Sequence, residues 1–227
     1  MMSSNRKVMM ATCILVLSLA GTSGAQMGGM MGRGAQPRGF FNPIVGSGAQ
    51  YEIQSSGKGN TMVIEIDVVG KESVDGKDGY WFESTVSSPE MGETVMKMFT
   101  VPDGPNSTST KMIMQMPGRP PMEMPMQMGR MGQQSHQLVD IRGQAEDLGT
   151  ESVTTPAGTF TAHHYRMKDG SGESWISEQI SPYGLIKHVG KDSTMVLTKV
   201  VSGAKDKITG TPVPFNPMMM GGGPTQQ

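Results

Sequence analysis

The sequence predicts a mainly β protein: a single antiparallel, strongly curved sheet or open barrel, with few or short helices and disordered termini. Three observations support this fold class. Apolar and polar residues alternate with a period of two through the middle of the chain. Short turn sequences rich in Gly, Asp, Ser and Pro separate the alternating stretches. No long stretch repeats its apolar residues at the 3.6-residue period of a helix. The predicted β domain spans residues 46–203.

The first 25 residues are typical of a secretory signal peptide. Arg6 and Lys7 form the basic start, an apolar stretch centred on residues 14–17 follows, and residues 23–25 (Ser-Gly-Ala) supply the small residues of a cleavage site. The apolar run is shorter than the ~20 residues that cross a bilayer. The sequence therefore predicts an exported protein, periplasmic or extracellular in a bacterium, that does not span the membrane once residues 1–25 are removed.

Two further segments are predicted to be disordered: a Gly/Met-rich leader at 26–45 and a tail rich in Met, Gly and Pro at 204–227.

The net charge of −1 argues against a nucleic-acid-binding protein, because such proteins need an excess of Lys and Arg. The one cysteine, Cys13, lies in the predicted signal peptide. A catalytic thiol, a Cys-based zinc site and an iron–sulfur cluster are therefore excluded from the processed chain.

The strands of the first half follow one another through short turns. In residues 62–69, four apolar side chains at even positions alternate with a face that carries Glu65 and Asp67, which is the pattern of a half-buried strand. A hairpin loop at 55–60 precedes this strand, and an Asp-Gly-Lys-Asp-Gly turn at 75–79 follows it. The other strands predicted here are 51–54, 80–86, 95–101, 110–116 and, after a Pro-rich break, 122–128.

Turn sequences also delimit the strands of the second half. Residues 156–158 (Pro-Ala-Gly) form a turn, because Pro fixes φ and Gly gives the backbone freedom before the next strand. Turns are predicted at 170–172 and 181–184 as well. Helices near 90–98 or 135–148 are the alternatives, but neither stretch has a convincing helical period. The strands predicted here are 159–167, 173–180, 184–189 and 194–201.

The chain carries no motif of an established catalytic site. The Gly-x-Ser-x-Gly, Walker-type, Gly-x-Gly-x-x-Gly and His-Glu-x-x-His patterns are all missing. A Ser/His/Asp triad needs no proximity in sequence, yet nothing marks one. His163 and His164 are adjacent on a predicted strand, so they point to opposite faces and cannot both ligate one metal ion. The sequence therefore predicts a protein that is not an enzyme and holds no cofactor.

Methionine is the unusual feature of the composition, with 24 residues among 227. Eight of them fall in one window, and the first seven occupy even positions, which places the thioethers of each extended segment on one face. Trp81 and Trp175 are predicted to flank this apolar stripe. The seven residues of the stripe are Met112, Met114, Met116, Met122, Met124, Met126 and Met128.

Three interpretations of the stripe remain open. The methionines fill the core beneath a curved sheet. Alternatively, they line a groove for an apolar or lipid-like ligand, because surfaces lined by Met adapt to varied apolar partners. In the third interpretation their thioethers bind Cu(I), a soft ion that sulfur ligands select. The candidate copper ligands are Met122, Met124, Met126, Met128 and Met131.

The second half carries motifs that are more distinctive. Residues 155–160 read Thr-Pro-Ala-Gly-Thr-Phe, Trp175 lies in a following predicted strand, and residues 184–187 read Gly-Leu-Ile-Lys. In this order the motifs resemble exported bacterial proteins of the DUF3108/TapB-like group, over about residues 149–202. That group is similar to the LolA/LolB-like architecture, which implies a curved antiparallel sheet around an apolar cavity. Lipoprotein carriers gate this cavity with an arginine that has no assignable counterpart here, so the resemblance implies the fold and not a carrier activity.

The sequence thus favours an exported, non-enzymatic binding protein for an apolar or lipid-like small molecule. Cu(I) binding by the methionine cluster is the alternative. The oligomeric state, and whether the sheet closes into a barrel, do not follow from the sequence.

Overall fold

Twelve β-strands form a single sheet in the part of the chain that the structure describes, a computed structural model of residues 41–55, 61–74, 76–88, 92–103, 106–125 and 143–216. Most of the longer strands form because one face can be buried against the core while the other carries polar side chains, whereas the edge strand β7 is exposed along most of its length. The strands are β1 (Ser47–Ser55), β2 (Thr61–Val74), β3 (Lys77–Ser88), β4 (Gly92–Asp103), β5 (Asn106–Gln115), β6 (Met122–Glu123), β7 (Ala145–Thr155), β8 (Gly158–Met167), β9 (Gly172–Ile176), β10 (Leu185–Gly190), β11 (Ser193–Ser202) and β12 (Val213–Pro214).

The strand order shows two antiparallel meanders that join in the middle of the sheet. Strands β1 to β6 pair in sequence, strands β7 to β11 pair in sequence, and β11 pairs with β1. From edge to edge the order is β12-β6-β5-β4-β3-β2-β1-β11-β10-β9-β8-β7, so the sheet is open, with β12 and β7 at its two edges. The predicted fold class is confirmed. Among the described strands, only β12 and β6 run parallel to each other.

The main core lies on one face of β1, β2 and β3. The two-residue alternation of β2 puts Ile64, Ile66 and Val68 on this face, and all three are buried. Phe160 and Ala162 of β8 pack against the same core. Because β8 lies far from β2 in the strand order, the sheet must curve for these residues to meet, as the sequence predicts.

The residues just before β1 belong to the packed structure. The ring of Phe41 lies against those of Phe82 and Tyr183, with centroid distances of 5.5 and 6.3 Å. The sequence predicts disorder over 26–45, whereas residues 41–45 contact the core through this aromatic anchor. A Gly/Met-rich composition does not reveal that contact, since the partner rings lie far away in the sequence.

After β11 the chain turns back across the face of the sheet that is opposite to the main core. The backbone N–H of Ala204 donates to the carbonyl oxygen of Gly46 at 2.9 Å, and the N–H of Thr209 donates to Oε1 of Gln115 at 3.1 Å. Residues 204–209 are called the C-terminal strap below. The sequence predicts a disordered tail from residue 204, but the described chain follows the sheet as far as Asn216.

The remaining strand predictions differ from the structure in four places. Strand β9 ends at Ile176 rather than at residue 180, and β12 lies in the predicted tail. Strand β7 is not predicted, and its beginning falls in the stretch 135–148 that was weighed as a helix. Of the described residues 122–125 in the predicted strand 122–128, only Met122 and Glu123 form a strand, β6. The predicted signal peptide and the end of the predicted tail lie outside the described residues. In the described ranges, the structure contains no helix with the length and apolar character needed to cross a membrane.

Candidate functional site

Neighbouring positions of β4, β5 and β6 carry methionine side chains on one face of the sheet. Met98 is paired with Met112, and Met96 with Met114, across β4 and β5. Met114 is paired in turn with Met122 of β6. Side chains directly opposite each other in an antiparallel pair share a face and have Cβ atoms about 4.5–5.5 Å apart, so these thioethers are neighbours. The methionine face, as we call it, comprises Met96, Met98, Met112, Met114, Met116, Met122 and Met124.

The methionine face is partly closed and partly open. The exposed fractions of Met112, Met122 and Met124 are 7%, 1% and 8%. The C-terminal segment packs against this cluster through Val213 and Phe215. The other four methionines are half-buried. Three methionines therefore act as core, while the other four keep part of their surface exposed.

This face is a continuation of the main core. Phe82, which is buried in that core, is paired with Met98, and Ser84 is paired with Met96. Since paired residues share a face, the methionine face and the main core lie on the same side of the sheet.

The structure brings together five of the seven residues of the predicted stripe: Met112, Met114, Met116, Met122 and Met124. Met126, Met128 and Met131 lie outside the described residues, so two of the five predicted copper ligands, Met122 and Met124, can be placed.

Sequence reasoning did not single out Met96 and Met98. They carry the same signal as the stripe, because both occupy even positions of one strand. Met98 and the first residue of the methionine window, Met112, are 14 positions apart in the sequence, however, and the register that pairs β4 with β5 is a tertiary property that the spacing does not encode.

Trp81 does not flank the stripe, contrary to the prediction. It follows Tyr80 and precedes Phe82 on β3, so alternation turns it to the opposite face of the sheet. Its indole Nε1–H donates to Oε2 of Glu72 at 2.6 Å, and Nζ of Lys97 lies 4.8 Å from its ring centroid.

Trp175 belongs to a separate polar cluster on β7, β8, β9 and β10. Its ring stacks on that of His164 with a centroid distance of 4.3 Å, and Nζ of Lys187 lies 4.9 Å from its centroid. The indole N–H donates to the carboxylate of Glu151, while Nε2 of His164 lies 2.9 Å from Oε2 of Glu173. The position of Trp175 is explained by these contacts, and no contact with the methionine stripe is needed to explain it.

The opposite face of β2 and β3 carries three carboxylates, the buried Asp67 and Glu83 and the half-buried Glu65, which we call the acidic cluster. Nζ of Lys207 donates to Oε1 of Glu65 at 2.6 Å and lies 3.6 Å from Oδ2 of Asp67. The backbone N–H of Lys207 lies 3.1 and 3.0 Å from the two carboxylate oxygens of Glu83. Asp67 and Glu83 are 1% and 0% exposed. Lys207 of the C-terminal strap therefore supplies the neutralising charge for carboxylates that have left water.

Two carboxyl groups of this cluster titrate near neutral pH. Burial, together with the neighbouring Glu65 carboxylate, raises the pKa of Asp67 to about 6. Burial, with a contribution from Asp206, raises the pKa of Glu83 to about 7. Among the described residues, Oδ1 of Asp67 is buried without a hydrogen-bond partner. A Cβ atom on Gly48 would lie 2.0 Å from that oxygen, so the close approach of β1 requires glycine there.

The two faces differ in the chemistry they can support. The methionine face offers flexible, polarizable apolar side chains and soft sulfur donors. The acidic cluster is already occupied by Lys207. Within the described part of the chain, no group of three or more His, Cys, Asp or Glu side chains is arranged to hold a metal ion.

Two solved structures are similar to this chain. One, described as a candidate lipoprotein from Parabacteroides distasonis, is 15% identical, with 73% of this chain and 99% of that chain covered and a TM-score of 0.35. The other, described as a candidate exported protein with a YmcC-like fold from Bacteroides fragilis, is 13% identical, with 72% and 99% covered and a TM-score of 0.33. No protein-family model and no curated protein matches the chain. The comparisons assign no family, and the resemblance to the DUF3108/TapB-like group stays a prediction.

Proposed function

We propose that this chain is an exported, non-enzymatic protein that binds an apolar or lipid-like small molecule on the methionine face. One observation carries the proposal: four half-buried methionines lie on one face of the sheet beside a core that is already buried, namely Met96 and Met98 of β4, Met114 of β5 and Met116 directly after β5. Export is supported by the signal-peptide pattern of residues 1–25. The absence of a catalytic motif from the sequence supports a binding role.

The arrangement of the methionines suits a ligand of variable shape. Met112 and Met122 are buried and fix the sheet under the site, whereas Met96 and Met114 keep exposed surface and unbranched, rotatable side chains. A thioether side chain adapts to different apolar contours at little cost in strain. We therefore expect broad selectivity for acyl chains rather than recognition of one headgroup.

Paired substitutions test this site with a dansylated medium-chain fatty acid as the fluorescent probe. Met96→Gln/Met114→Gln removes apolar surface at nearly constant side-chain length, whereas Met96→Leu/Met114→Leu keeps it. Met167→Gln is the matched control, because Met167 is a half-buried methionine that packs on a separate apolar cluster of β7–β9. We expect the double Gln variant to lose about 10-fold or more in affinity, and the Leu and control variants to bind as the unchanged chain does.

Two results would contradict the proposal. One is saturable binding that the double Gln variant leaves intact, since the probe would then occupy another surface. The other is the absence of saturable binding in the unchanged chain, combined with a native mass that shows no co-purified small molecule.

A second candidate function is Cu(I) binding, and a specific observation favours it. Met96, Met114 and Met122 occupy directly opposite positions on three adjacent strands, so their thioethers are neighbours on one face, and sulfur is the type of ligand that Cu(I) prefers. Leu substitution separates the two candidates, because leucine keeps the apolar surface and removes the sulfur.

The copper test is an anaerobic Cu(I) titration against a chromophoric chelator. If the methionine face is the metal site, Met96→Leu/Met114→Leu/Met122→Leu lowers Cu(I) affinity while retaining probe binding, and Met167→Leu changes neither. Unchanged Cu(I) affinity in the triple variant removes this candidate.

A further inference from the structure

The methionine face combines exposed thioethers with the most weakly attached edge of the sheet. Strands β6 and β12 contain two residues each. Met122 of β6 is paired on one side with Met114 of β5 and on the other with Val213 of β12. This edge is therefore held by a few ladder bonds and by contact between apolar side chains.

We infer that the four half-buried residues Met96, Met98, Met114 and Met116 are an oxidant-modification site, and that their conversion to methionine sulfoxide by a peroxide releases β6 and β12 from β5. This inference goes beyond the proposed binding function and does not depend on a ligand.

The chemistry is a two-electron oxygen transfer. The thioether sulfur attacks one oxygen of hydrogen peroxide, the S–O bond forms and the O–O bond breaks. The departing hydroxide takes the proton of the transferred oxygen and leaves as water. Sulfur is oxidised by two electrons and the peroxide is reduced by two, so one thioether and one H₂O₂ give one sulfoxide and one H₂O. The reaction needs access of the peroxide to sulfur, which half-burial provides and full burial restricts.

The consequence follows from the position of the modified sulfurs. Met114 lies directly beside Met122, which is 1% exposed. A sulfoxide oxygen on Met114 is a strong hydrogen-bond acceptor in an apolar contact, and leaving it dehydrated is unfavourable. Hydration requires water between β5 and β6, and therefore loss of the contact that holds β6.

Other contacts confine the release to the edge. Gln115 accepts from the backbone N–H of Thr209 at 3.1 Å, and Lys207 stays bound to Glu65 on the opposite face. Neither contact involves a thioether. The C-terminal strap should therefore stay in place while the chain beyond it detaches.

The first experiment treats the full chain with increasing hydrogen peroxide and locates sulfoxides by peptide mass mapping. We expect the four half-buried methionines of the face to be oxidised before Met112, Met122 and Met124. Hydrogen exchange on the same samples should show faster exchange at residues 122–124 and 213–215, with strand β1 still protected. Equal oxidation rates for the two groups, or loss of protection throughout the sheet, would overturn the inference.

The second experiment compares melting temperatures before and after peroxide. The unchanged chain should lose about 5 °C on oxidation, because a polar group has been introduced into an apolar contact. A variant with Leu at positions 96, 98, 114 and 116 cannot form these sulfoxides and should lose little, whereas Met62→Leu/Met167→Leu should lose as much as the unchanged chain. An equal loss in the fourfold Leu variant contradicts the inference, since the responsible sulfurs would lie elsewhere.

A substitution without oxidant checks the same step independently. Met114→Gln places a polar group of similar length at the central position of the face. We expect faster hydrogen exchange at 122–124 without any peroxide, and unchanged exchange at these residues would contradict the inference even if the fourfold Leu variant failed to fold.

Discussion

The two faces of β2 to β5 show different ways of stabilising the same strands. On one face, Met96, Met98 and Met114 contact their neighbours through dispersion and burial, which do not depend on direction. On the other, Glu65 and Glu83 are satisfied by Lys207 at particular distances. Substitutions that change the shape but not the volume of an apolar side chain cost little stability. Removing one partner of a buried ion pair, by contrast, is strongly destabilising. A change of side-chain shape is therefore better tolerated on the methionine face than at the acidic cluster.

The largest effect expected is a cavity in the methionine face. Met122→Ala should lower the free energy of unfolding by about 3 kcal/mol, because Met122 is 1% exposed and the surrounding strands cannot collapse fully into the space. Urea denaturation measures the loss. Met122→Leu is the matched control and should cost less than about 1.5 kcal/mol, because volume is conserved. If the two substitutions cost the same, the face is not a shape-tolerant core.

The acidic cluster should respond to loss of its cation. Lys207→Met keeps much of the side-chain length and removes the charge, which should lower the free energy of unfolding by about 2 kcal/mol, less than for a fully buried pair because Lys207 retains 34% side-chain exposure. Lys205→Met, in the exposed part of the C-terminal strap, is the control and should change little. A neutral effect of Lys207→Met would show that the strap is held by its backbone alone.

Stability should also depend on pH through Asp67 and Glu83. Their pKa values of about 6 and 7 lie above the ordinary values of 3.8 and 4.5, so the folded state binds more protons than the unfolded state between these limits. Stability from these groups is therefore fully present below about pH 4 and is lost as the pH rises through 6 to 7, with a slope of about 2 kcal/mol per pH unit near pH 6.

Urea midpoints measured from pH 5 to pH 8 test this dependence against a variant. Asp67→Asn/Glu83→Gln removes both titrating groups and should flatten the difference between the two ends of the range. The charged groups around them stay in place: Glu65, Lys97, Lys199, Asp206 and Lys207. A double variant with the same pH dependence as the unchanged chain would exclude these two carboxyls as the source.

The smallest expected effect concerns the exposed hydrogen bonds of the strap. Gln115→Ala removes the acceptor for the N–H of Thr209 and the weak donation at 3.3 Å to its hydroxyl. Since these groups can bond to water instead, the loss should be about 0.5 kcal/mol by urea denaturation. A loss as large as that of Lys207→Met would mean that the strap, rather than its lysine, carries the stability.

Most of the fold was accessible from the sequence because alternation is a local property. Strand β2 shows it clearly, since Ile64, Ile66 and Val68 are buried as the period of two predicts. Strand β7 was missed because it lies at an edge and carries polar or charged residues at almost every exposed position, including Glu146 and Asp147, so it has no apolar period to detect.

The candidate site was only partly accessible. Five stripe methionines could be grouped because they all occupy even positions of extended segments. Met96 and Met98 join them only through the register between β4 and β5, which the sequence does not encode. Alternation along a strand also assigns Trp81 and the adjacent Phe82 to opposite faces. It does not say which face of β3 continues into the methionines, and that ambiguity is the reason for the wrong placement of Trp81. The contact of Lys207 with Glu65 could not be predicted, because the two residues are far apart and no pattern in the local sequence indicates their pairing.

The position of Lys207 in the chain bears on the order of folding during synthesis. Its partner Glu65 precedes Lys207 by 142 residues, so β2 and β3 are synthesised long before the lysine that neutralises their carboxylates. Until then β2 and β3 hold carboxyl groups with no cation from the strap. Because contacts between residues far apart in the sequence form slowly, we expect the contact of the C-terminal strap with the acidic cluster to form after the local hairpins of the sheet.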